Sequence, residues 1–299
     1  MFKKIALFGV GLIGGSFSLS LKKGGFVGAV VGMDRSPAAL ERALQLGIID
    51  QIGGSVAEAV RDADLVLIAA PVAQTAAILA SIEPHLQSGT VVTDAGSTKS
   101  DVVAAARATL RAKIAQFVPG HPIAGRETNG PDAAIDDLFV GKKTVLTPLP
   151  ENSEQDIERV AQAWRQCGAI IHHLTPQDHD CVFAAVSHLP HLLAYALVDN
   201  IVKKPQTDLL FQYAASGFRD FTRIAGSSPE MWRDITMANQ TMLLGMLDSY
   251  LAQLNRIRDM LAAGDSAAIH EVYVNGQRAR QNWIRTIEAA EKQNKEGGD

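Results

Sequence analysis

The 299-residue sequence has few cysteines and no excess of basic residues. Its two cysteines, Cys167 and Cys181, cannot build a disulfide framework, which favours a reducing cytoplasm. Lys and Arg number 28 against 32 Asp and Glu, so the chain lacks the basic surface that binding to nucleic acids or anionic membranes requires. Its 47% hydrophobic and 20% charged residues exclude wholesale disorder. Composition therefore predicts a soluble, cytoplasmic, globular protein with neither a nucleic-acid nor a membrane partner.

The N-terminus offers a competing membrane interpretation. A basic start is followed by the uncharged residues 5–21, as in a signal peptide, and Gly11 and Gly15 form a Gly-x-x-x-Gly pair, as in membrane helices. However, glycines interrupt this run repeatedly, and no small-x-small cleavage site precedes Lys22. We therefore prefer a different function for these glycines, a turn that binds a nucleotide.

Residues 1–175 alternate between short apolar stretches and helical patterns. Strands are predicted at 3–8, 29–33, 65–69, 90–93, 143–147 and 169–174, and helices at 12–22, 37–46, 56–63, 72–86, 102–112 and around 157–164. Strand and helix units of about 30 residues are typical of a parallel sheet with helices on both faces. This part of the chain is therefore predicted to be an α/β domain.

After Thr175 the sequence shows only helical patterns. Helices are predicted at 182–202, with a kink at Pro190, at 229–261 and at 265–291. We therefore place the domain boundary between residues 175 and 176. The expected architecture is an α/β domain at 1–175 followed by an all-α dimerisation and substrate-binding domain at 176–299.

The helix predicted at 229–261 needs a long partner helix. Its apolar positions follow one another in alternating steps of four and three residues, namely Leu243, Leu247, Tyr250, Leu254, Ile257 and Leu261. The partner could belong to the same domain or to a second subunit. Because a helical domain of this size has a thin core, we expect a homodimer.

The segment Gly-Val-Gly-Leu-Ile-Gly, from Gly9 to Gly14, follows the first strand and opens the first helix. Gly9 permits a tight turn, Gly11 lets a pyrophosphate approach the backbone, and Gly14 lets the helix pack against the strand. The amides of Leu12 and Ile13, at the helix N-terminus, favour an anion. These features predict that the α/β domain is a Rossmann-type dinucleotide-binding domain.

Asp34 stands 20 residues after Gly14, at the end of the second strand. A carboxylate there can accept hydrogen bonds from both hydroxyls of a ribose, although Asp is also an ordinary turn residue at a strand end. Because Asp34 would repel a 2′-phosphate, the sequence favours NAD over NADP. Arg35 could stack on the adenine or bind a phosphate, which leaves NADP use open.

Ser97 lies in the segment Asp-Ala-Gly-Ser-Thr-Lys, residues 94–99, directly after the fourth predicted strand. Ligands of open α/β sheets bind at the carboxyl ends of the strands, so Ser97 is predicted to face the nicotinamide. The alternative is a helix cap formed by Ser97 or Ser100.

His121 lies in the segment Gly-His-Pro-Ile-Ala-Gly-Arg-Glu, which we place on a rigid loop at a sheet edge. A neutral imidazole can take a proton from an alcohol as a hydride leaves the same carbon. An isolated histidine is more often structural, but a histidine held between Gly120 and Pro122 beside a nucleotide fold favours catalysis.

The segment Ser-His-Leu-Pro-His places His188 and His191 three residues apart, a spacing that metal sites also use. No cluster of Cys or acidic ligands accompanies them in the sequence, so no metal is expected. Farther on, Arg219 and Arg223 are suited to hold a carboxylate. A surface pairing with Asp220 fits Arg219 better than Arg223.

Together these segments resemble the prephenate dehydrogenase family of tyrosine biosynthesis, which includes arogenate and cyclohexadienyl dehydrogenases. The motifs that carry the resemblance are, in order, Asp-x-Gly-Ser-x-Lys, His-Pro-Ile-Ala-Gly, Ser-His-Leu-Pro-His and Phe-Thr-Arg-Ile-Ala. The resemblance implies an oxidative decarboxylation, in which prephenate and NAD give 4-hydroxyphenylpyruvate, carbon dioxide and NADH.

The resemblance also implies roles for individual residues. His121 is expected to polarise or deprotonate the ring hydroxyl, Ser97 to position that hydroxyl, and Arg223 to hold a substrate carboxylate. Further family positions line, shape or gate the pocket, namely Glu127, Asp180, Ser187, His188, His191 and Trp232. Trp232 is further expected to reach the partner subunit.

Other functions compete with this hypothesis. Other β-hydroxyacid-type dehydrogenases use a lysine near the head of the helical domain, where this sequence has no lysine before Lys203. A nucleotide-sensing binding protein on the same fold would bind NAD without turnover. Prephenate and arogenate differ only in the side chain, and Arg126 could either favour the more acidic prephenate or point into solvent.

Overall fold

A computed structural model describes residues 1–126 and 128–296 of the chain. Internal contacts divide the protein into two compact units, Met1–Leu243 and a C-terminal unit that begins at Leu244. The domain boundary predicted between residues 175 and 176 lies inside the first of these units and stays a prediction.

Five parallel strands of the first unit form a sheet in the order β3-β2-β1-β4-β5. Its strands and the helices between them are β1 (Phe2–Phe8), α1 (Leu12–Lys23), β2 (Val27–Met33), α2 (Pro37–Gln45), β3 (Gln51–Ile52), α3 (Val56–Val60), β4 (Leu65–Ile68), α4 (Thr75–Ile82), β5 (Val91–Asp94) and α5 (Ser100–Leu110). The helix predicted at 72–86 is shorter than expected. Short 3₁₀ turns at Val72–Gln74 and Glu83–His85 flank α4, because Pro71 and Pro84 restrict the backbone there.

A second sheet of three strands carries the segment that was predicted as a loop around His121. Its strands are β6 (Gly120–Pro122), β7 (Lys143–Leu146) and β8 (Ile170–His173). The helix α6 (Glu154–Gln166) lies between β7 and β8 in the chain. β6 runs antiparallel to β7, with His121 opposite Val145, and β7 runs parallel to β8. The loop prediction was wrong because three residues that include Pro122 are too few to show an alternating pattern.

The central strand β1 is buried on both faces. Ile5 and Leu7 belong to one apolar core, together with Trp164 of α6. Ala6 and Phe8 belong to a second core, to which α4 and α5 contribute. Successive side chains of β1 point to opposite faces of the sheet and therefore pack into different cores, as expected for a parallel strand covered on two sides. The predicted Rossmann-type α/β fold is confirmed.

The rest of the described chain is helical. It contains α7 (Pro176–Phe183), α8 (Leu189–Val202), α9 (Thr207–Gln212), α10 (Ser216–Thr222), α11 (Pro229–Ala238), α12 (Gln240–Ala263) and α13 (Ser266–Glu296). The irregularity predicted at Pro190 lies just before it, in a π-helical turn at Ala184–His188. Pro190 itself occupies the first turn of α8, where its missing amide is no loss.

The prediction of a single helix at 229–261 was wrong, because the helix is interrupted at Asn239. This residue lies between α11 and α12 with φ −106° and ψ 29°, outside helical geometry. Its side-chain amide donates a hydrogen bond to the carbonyl of Asp180 at 2.8 Å and also contacts His188 Nδ1 at 3.1 Å. The break between α11 and α12 therefore coincides with a tertiary contact to α7.

The helical stretch Pro176–Val202 is long and apolar enough, by length and composition, to cross a membrane. Core helices of soluble proteins pass the same test. This stretch contains His179, Asp180 and His188, which are buried and hydrogen-bonded within the first unit. Of its most apolar 18 residues 22% are buried, and a single stretch of this kind is weak evidence for a membrane span.

Candidate active site

A cavity of about 880 Å³ lies in the first unit, next to the carboxyl ends of β1, β4 and β5. Ligands of open α/β sheets bind at this edge. The structure brings eight of the predicted site residues to its wall, namely Gly11, Leu12, Ile13, Ser97, His121, His191, Arg223 and Trp232. Arg126 lines the same cavity. Segments far apart in the sequence therefore build one site.

Other predicted site residues do not line this cavity. They are Gly9, Gly14, Asp34, Arg35, Asp180, Ser187 and His188. Asp180 and His188 are each only 1% exposed, so they stand within the protein rather than on the cavity wall. Glu127 lies outside the described residues.

The glycine loop fits the pyrophosphate of a dinucleotide. Gly9 has φ +97°, and a Cβ there would lie 2.5 Å from the carbonyl oxygen of Ala69, so only glycine is tolerated. A Cβ at Gly14 would collide with the backbone of Gly9. At Gly11 an added Cβ would meet no described atom within 4 Å, and no described side chain caps the N-terminus of α1. The first amides of α1 are therefore available to an anion.

Asp34 holds the start of this loop as well as the turn that follows β2. Its carboxylate accepts hydrogen bonds from the backbone amides of Val10, at 3.2 Å, and Ser36, at 2.9 Å. Ser36 in turn caps α2, as its position before Pro37 predicts. The carboxylate therefore has a fixed place beside the glycine loop.

A fully buried ion pair fixes the segment that carries Ser97. Lys99 Nζ pairs with the carboxylate of Asp94 and also donates to the carbonyl of Gly120 at 2.8 Å. Asp94 accepts further hydrogen bonds from the amides of Gly96, at 2.9 Å, and Gly120, at 3.0 Å. The pair joins the Ser97 segment to the strand of His121. The sequence motif alone indicates no role for Asp94 and Lys99.

Neither Ser97 nor Ser100 caps α5, so the alternative predicted for these serines was wrong. The cap comes from α7 instead. Asp180 accepts hydrogen bonds from the amides of Lys99 and Ser100, both at 2.8 Å. A carboxylate at a helix N-terminus also interacts favourably with the helix dipole. Ser97 is thereby left on the cavity wall, free of a capping role.

His121 projects from β6 and is held from behind. Its Nδ1 lies 2.8 Å from Nε2 of His179, and its ring packs against Phe183 at 4.9 Å between centroids. Burial lowers the pKa of His121 well below its ordinary value, and the nearby His179 and Lys99 lower it further. His121 is therefore neutral at pH 7 and able to accept a proton.

The opposite wall combines an imidazole, an indole and a guanidinium. His191 stacks on Trp232, with 3.4 Å between ring centroids and 17° between planes, and its Nδ1 bonds the carbonyl of Ser187 at 2.9 Å. Arg223 lies in a 3₁₀ turn and lines the cavity. Arg219 pairs with Asp220 at 3.6 Å, as the sequence indicated.

Within the described residues, no group of three or more His, Cys, Asp or Glu side chains could hold a metal ion. Of the two histidines with metal-like spacing, His188 contacts Asn239 and meets Trp232 edge-on at 6.1 Å between ring centroids, whereas His191 stacks on Trp232.

Comparison with known proteins finds relatives over nearly the whole chain. Residues 17–173 match the nucleotide-binding domain of prephenate dehydrogenase, and residues 175–275 match its dimerization domain. The chain is 36% identical to the cyclohexadienyl dehydrogenase of Zymomonas mobilis over 283 residues, which cover 94% of this chain and 96% of that protein. It is 37% identical to the prephenate dehydrogenase of Bacillus subtilis over 264 residues, covering 88% and 71% of the two chains.

A solved structure shows the same similarity in three dimensions. The prephenate dehydrogenase of Aquifex aeolicus, in complex with hydroxyphenyl propionate and NAD⁺, matches this chain with a TM-score of 0.87 at 34% identity. The match covers 95% of this chain and 99% of that one.

Proposed function

This chain belongs to the prephenate dehydrogenase family, and we propose that it catalyses the NAD⁺-dependent oxidative decarboxylation of prephenate to 4-hydroxyphenylpyruvate. One observation carries the proposal. Ser97, His121 and Arg223 line a single cavity together with the open glycine loop. The reaction requires that a hydroxyl is positioned, that its proton is accepted and that an acidic substrate is held. Ser97, His121 and Arg223 would perform these three tasks in that order.

The cofactor has a place in the described residues. The amides at the start of α1, beside Gly11, would hold the pyrophosphate, and Asp34 would accept the hydroxyls of the adenosine ribose. When bound, NAD⁺ supplies the hydride acceptor.

The chemistry needs little from the protein beyond orientation and proton transfer. Loss of the ring carboxylate as carbon dioxide returns its bonding electrons to the ring, which becomes aromatic. Neutral His121 accepts the proton of the ring hydroxyl while a hydride leaves the carbon that bears this hydroxyl. His121 then returns the proton to the same oxygen, which is the phenol oxygen of the product. Ser97 orients the hydroxyl and Arg223 binds a carboxylate, so the reacting atoms stay aligned.

Two arginines favour prephenate over arogenate. Arg126 and Arg223 both line the cavity. Prephenate carries two carboxylates, whereas arogenate adds an ammonium group that cationic side chains repel. The alternative is a broad-specificity cyclohexadienyl or arogenate dehydrogenase, and the name of the Zymomonas mobilis relative is the observation that keeps it open.

Replacing Arg223 by Ala is expected to raise the KM for prephenate roughly 10- to 100-fold, because a hydrogen bond between charged groups contributes about 1.5–3 kcal/mol. Binding of NAD⁺, measured by fluorescence titration, should be unchanged. Arg219→Ala is the matched control, since Arg219 pairs with Asp220 on the surface. A loss confined to NAD⁺ binding would refute the assigned role of Arg223.

Replacing Asp34 by Asn is expected to lower the preference for NAD⁺ over NADP⁺ roughly tenfold or more, because it removes the charge that repels a 2′-phosphate. The Asn side chain retains an oxygen for the amides of Val10 or Ser36. The ratio of kcat/KM for the two cofactors measures the effect. Arg35→Ala is the second variant of this experiment. It lowers kcat/KM for NADP⁺ but not for NAD⁺ if Arg35 binds the 2′-phosphate. An unchanged ratio in Asp34→Asn would contradict the ribose assignment.

We further infer a cytoplasmic homodimer. The match to a dimerization domain supports association. On the long helix α12, Leu254 and Leu261 of the predicted apolar seam are 41% and 63% exposed in the single chain. Burial of these side chains against a second copy would remove apolar surface from water. Sedimentation of the purified protein tests the dimer.

The proposed reaction is tested by kcat/KM measured for prephenate and arogenate, each with NAD⁺ and NADP⁺. We expect the largest value for prephenate with NAD⁺. A larger value for arogenate would support the alternative substrate. Binding of NAD⁺ without turnover of either compound would point to a nucleotide-binding protein instead.

A further inference from the structure

His121 is the first member of a buried chain of three titratable side chains. Its Nδ1 lies 2.8 Å from Nε2 of His179, whose Nδ1 lies 2.9 Å from a carboxylate oxygen of Asp180. His179 is fully buried and Asp180 is 1% exposed. No sequence pattern predicted a role for His179, and Asp180 was expected at the pocket.

The carboxylate at the end of this chain is ionised. Burial alone would raise the pKa of Asp180, but hydrogen bonds from His179 and from the amides of Ser100 and Lys99 outweigh burial and lower it. An ionised carboxylate only accepts hydrogen bonds. The ring nitrogen that faces it, Nδ1 of His179, must therefore carry a hydrogen.

The ionised carboxylate determines which nitrogen of each imidazole carries a hydrogen. Burial lowers the pKa of His179 as well as that of His121, so both rings are neutral and each has one donor and one acceptor nitrogen. With its hydrogen on Nδ1, His179 presents the lone pair of Nε2 to His121. A hydrogen bond at 2.8 Å then requires the hydrogen of His121 to sit on Nδ1.

The opposite tautomer of His121 is disfavoured by the same geometry. With its hydrogen on Nε2, His121 would turn the lone pair of Nδ1 toward the lone pair of His179 Nε2. That arrangement would lose a buried hydrogen bond and place two acceptors in contact. Nε2 of His121 makes no hydrogen bond to any described protein group, and the residue lines the cavity.

We propose that His179 and Asp180 are positioning residues that hold neutral His121 in the tautomer with an unprotonated Nε2, the nitrogen that receives the substrate proton. The proposal rests on the proposed function only for the identity of that proton. The charge of Asp180 acts through two imidazoles, and the N-terminus of α5 keeps it ionised. One carboxylate thus couples the segment of Ser97 to the orientation of His121.

The three side chains His121, His179 and Asp180 form a relay. The groups that face this relay come from several elements. Lys99 on the Ser97 segment, Asp94 at the end of β5 and His188 before α8 act on its charges, in addition to the members themselves. Lys99 and Asp94 neutralise each other, and the pKa of His188 is lowered to about 4. None of these neighbours supplies a proton that would change the tautomers at pH 7.

Long-range proton–nitrogen NMR of the dimer labelled with ¹⁵N-histidine tests the tautomer without substrate. The His121 signals are assigned from their absence in His121→Asn. We expect an unprotonated Nε2 on both His121 and His179, whereas free neutral histidine prefers a hydrogen on Nε2. A hydrogen on Nε2 of His121 would overturn the proposal.

A pair of variants tests its catalytic consequence. His179→Phe keeps a ring against Phe183 but cannot accept the His121 hydrogen, so the Nε2-protonated form of His121 should appear in the spectrum. We expect kcat to fall at least tenfold, with about 10⁴-fold as the loss known when a triad histidine takes the wrong tautomer. KM and NAD⁺ binding should change little. His179→Gln restores an acceptor oxygen and should recover part of kcat and of the spectrum.

The controls separate this proposal from the function itself. His85→Gln removes an exposed histidine and should leave the kinetics and the other histidine signals unchanged. The expected tautomer without turnover of prephenate would support the relay and refute the proposed reaction. Turnover of prephenate with a hydrogen on Nε2 of His121 would do the reverse. Equal loss of kcat in His179→Phe and His179→Gln, with the tautomer of His121 unaltered, would also refute the relay.

Discussion

Replacing His121 by Asn is expected to lower kcat with prephenate by about 10²–10⁴-fold, because the variant lacks the proposed general base. Asparagine is close to histidine in size but does not accept a proton at neutral pH. The glycine loop is untouched, so the affinity for NAD⁺ should equal that of the wild type. Steady-state rates and a fluorescence titration of NAD⁺ measure the two quantities on the same preparation. A nearly wild-type rate would contradict the base assignment.

The pH profile checks the same residue without a mutation. In the proposed mechanism the neutral form of His121 is the active base, and the pKa of His121 lies well below 6.5 because of burial and the neighbouring His179 and Lys99. An imidazole is neutral above its pKa. The kcat/KM for prephenate should therefore stay constant as the pH falls to 6.5 and decline only below it. A decline that begins above this value would indicate a different titrating group.

Replacing Lys99 by Met lowers the free energy of unfolding by about 3–5 kcal/mol, the usual cost of leaving one partner of a buried ion pair uncompensated. Lys99 and Asp94 have side chains that are 0% and 1% exposed. Without the ammonium group, the carboxylate of Asp94 loses its counter-charge and the carbonyl of Gly120 loses a donor. Urea unfolding followed by intrinsic fluorescence measures the loss.

An exposed pair provides the matched control for this prediction. Lys203 and Asp199 lie four residues apart, with side chains 71% and 63% exposed. Solvent screens such pairs, and many contribute nothing measurable, so Lys203→Met should not change the unfolding curve. The double variant Asp94→Asn with Lys99→Met removes both buried charges and should recover part of the loss. Equal effects of Lys99→Met and Lys203→Met would refute the account.

Features that depend on neighbours in the sequence could be predicted. The glycine loop follows a strand and opens a helix, and the positive φ of Gly9 and the tight approach at Gly14 are the constraints that its pattern encodes. Ser97 was recognisable because it follows a buried strand directly, and the parallel topology places its segment and the glycine loop at one sheet edge. His121 was recognisable because it stands between Gly120 and Pro122, although it lies in a strand of the second sheet.

Features that depend on distant contacts could not be predicted. His179 lies 58 residues from His121 in sequence, and only the packing of α7 against β6 brings their nitrogens together. Asp180 caps a helix that begins 80 residues earlier. Asn239 stands at the break between α11 and α12, and its side chain bonds the carbonyl of Asp180, 59 residues away. Each of these residues is ordinary in its local sequence, so composition and periodicity gave no signal.

The relay, the buried ion pair and the break at Asn239 meet in one region. Asp180 bonds the amide of Lys99, its carbonyl accepts from Asn239, and His179 links it to His121. Buried hydrogen bonds thus connect the Ser97 segment, His121 and Asn239 through Asp180. Such support fixes a catalytic group within the narrow range of geometry that proton transfer requires.

Oxidative decarboxylation by this chain is measured with prephenate labelled with ¹³C in its ring carboxylate. The purified enzyme and NAD⁺ should release one labelled carbon dioxide and one 4-hydroxyphenylpyruvate for each NADH formed. Formation of NADH without labelled carbon dioxide, or release of carbon dioxide without NADH, would contradict oxidative decarboxylation as the function of this chain.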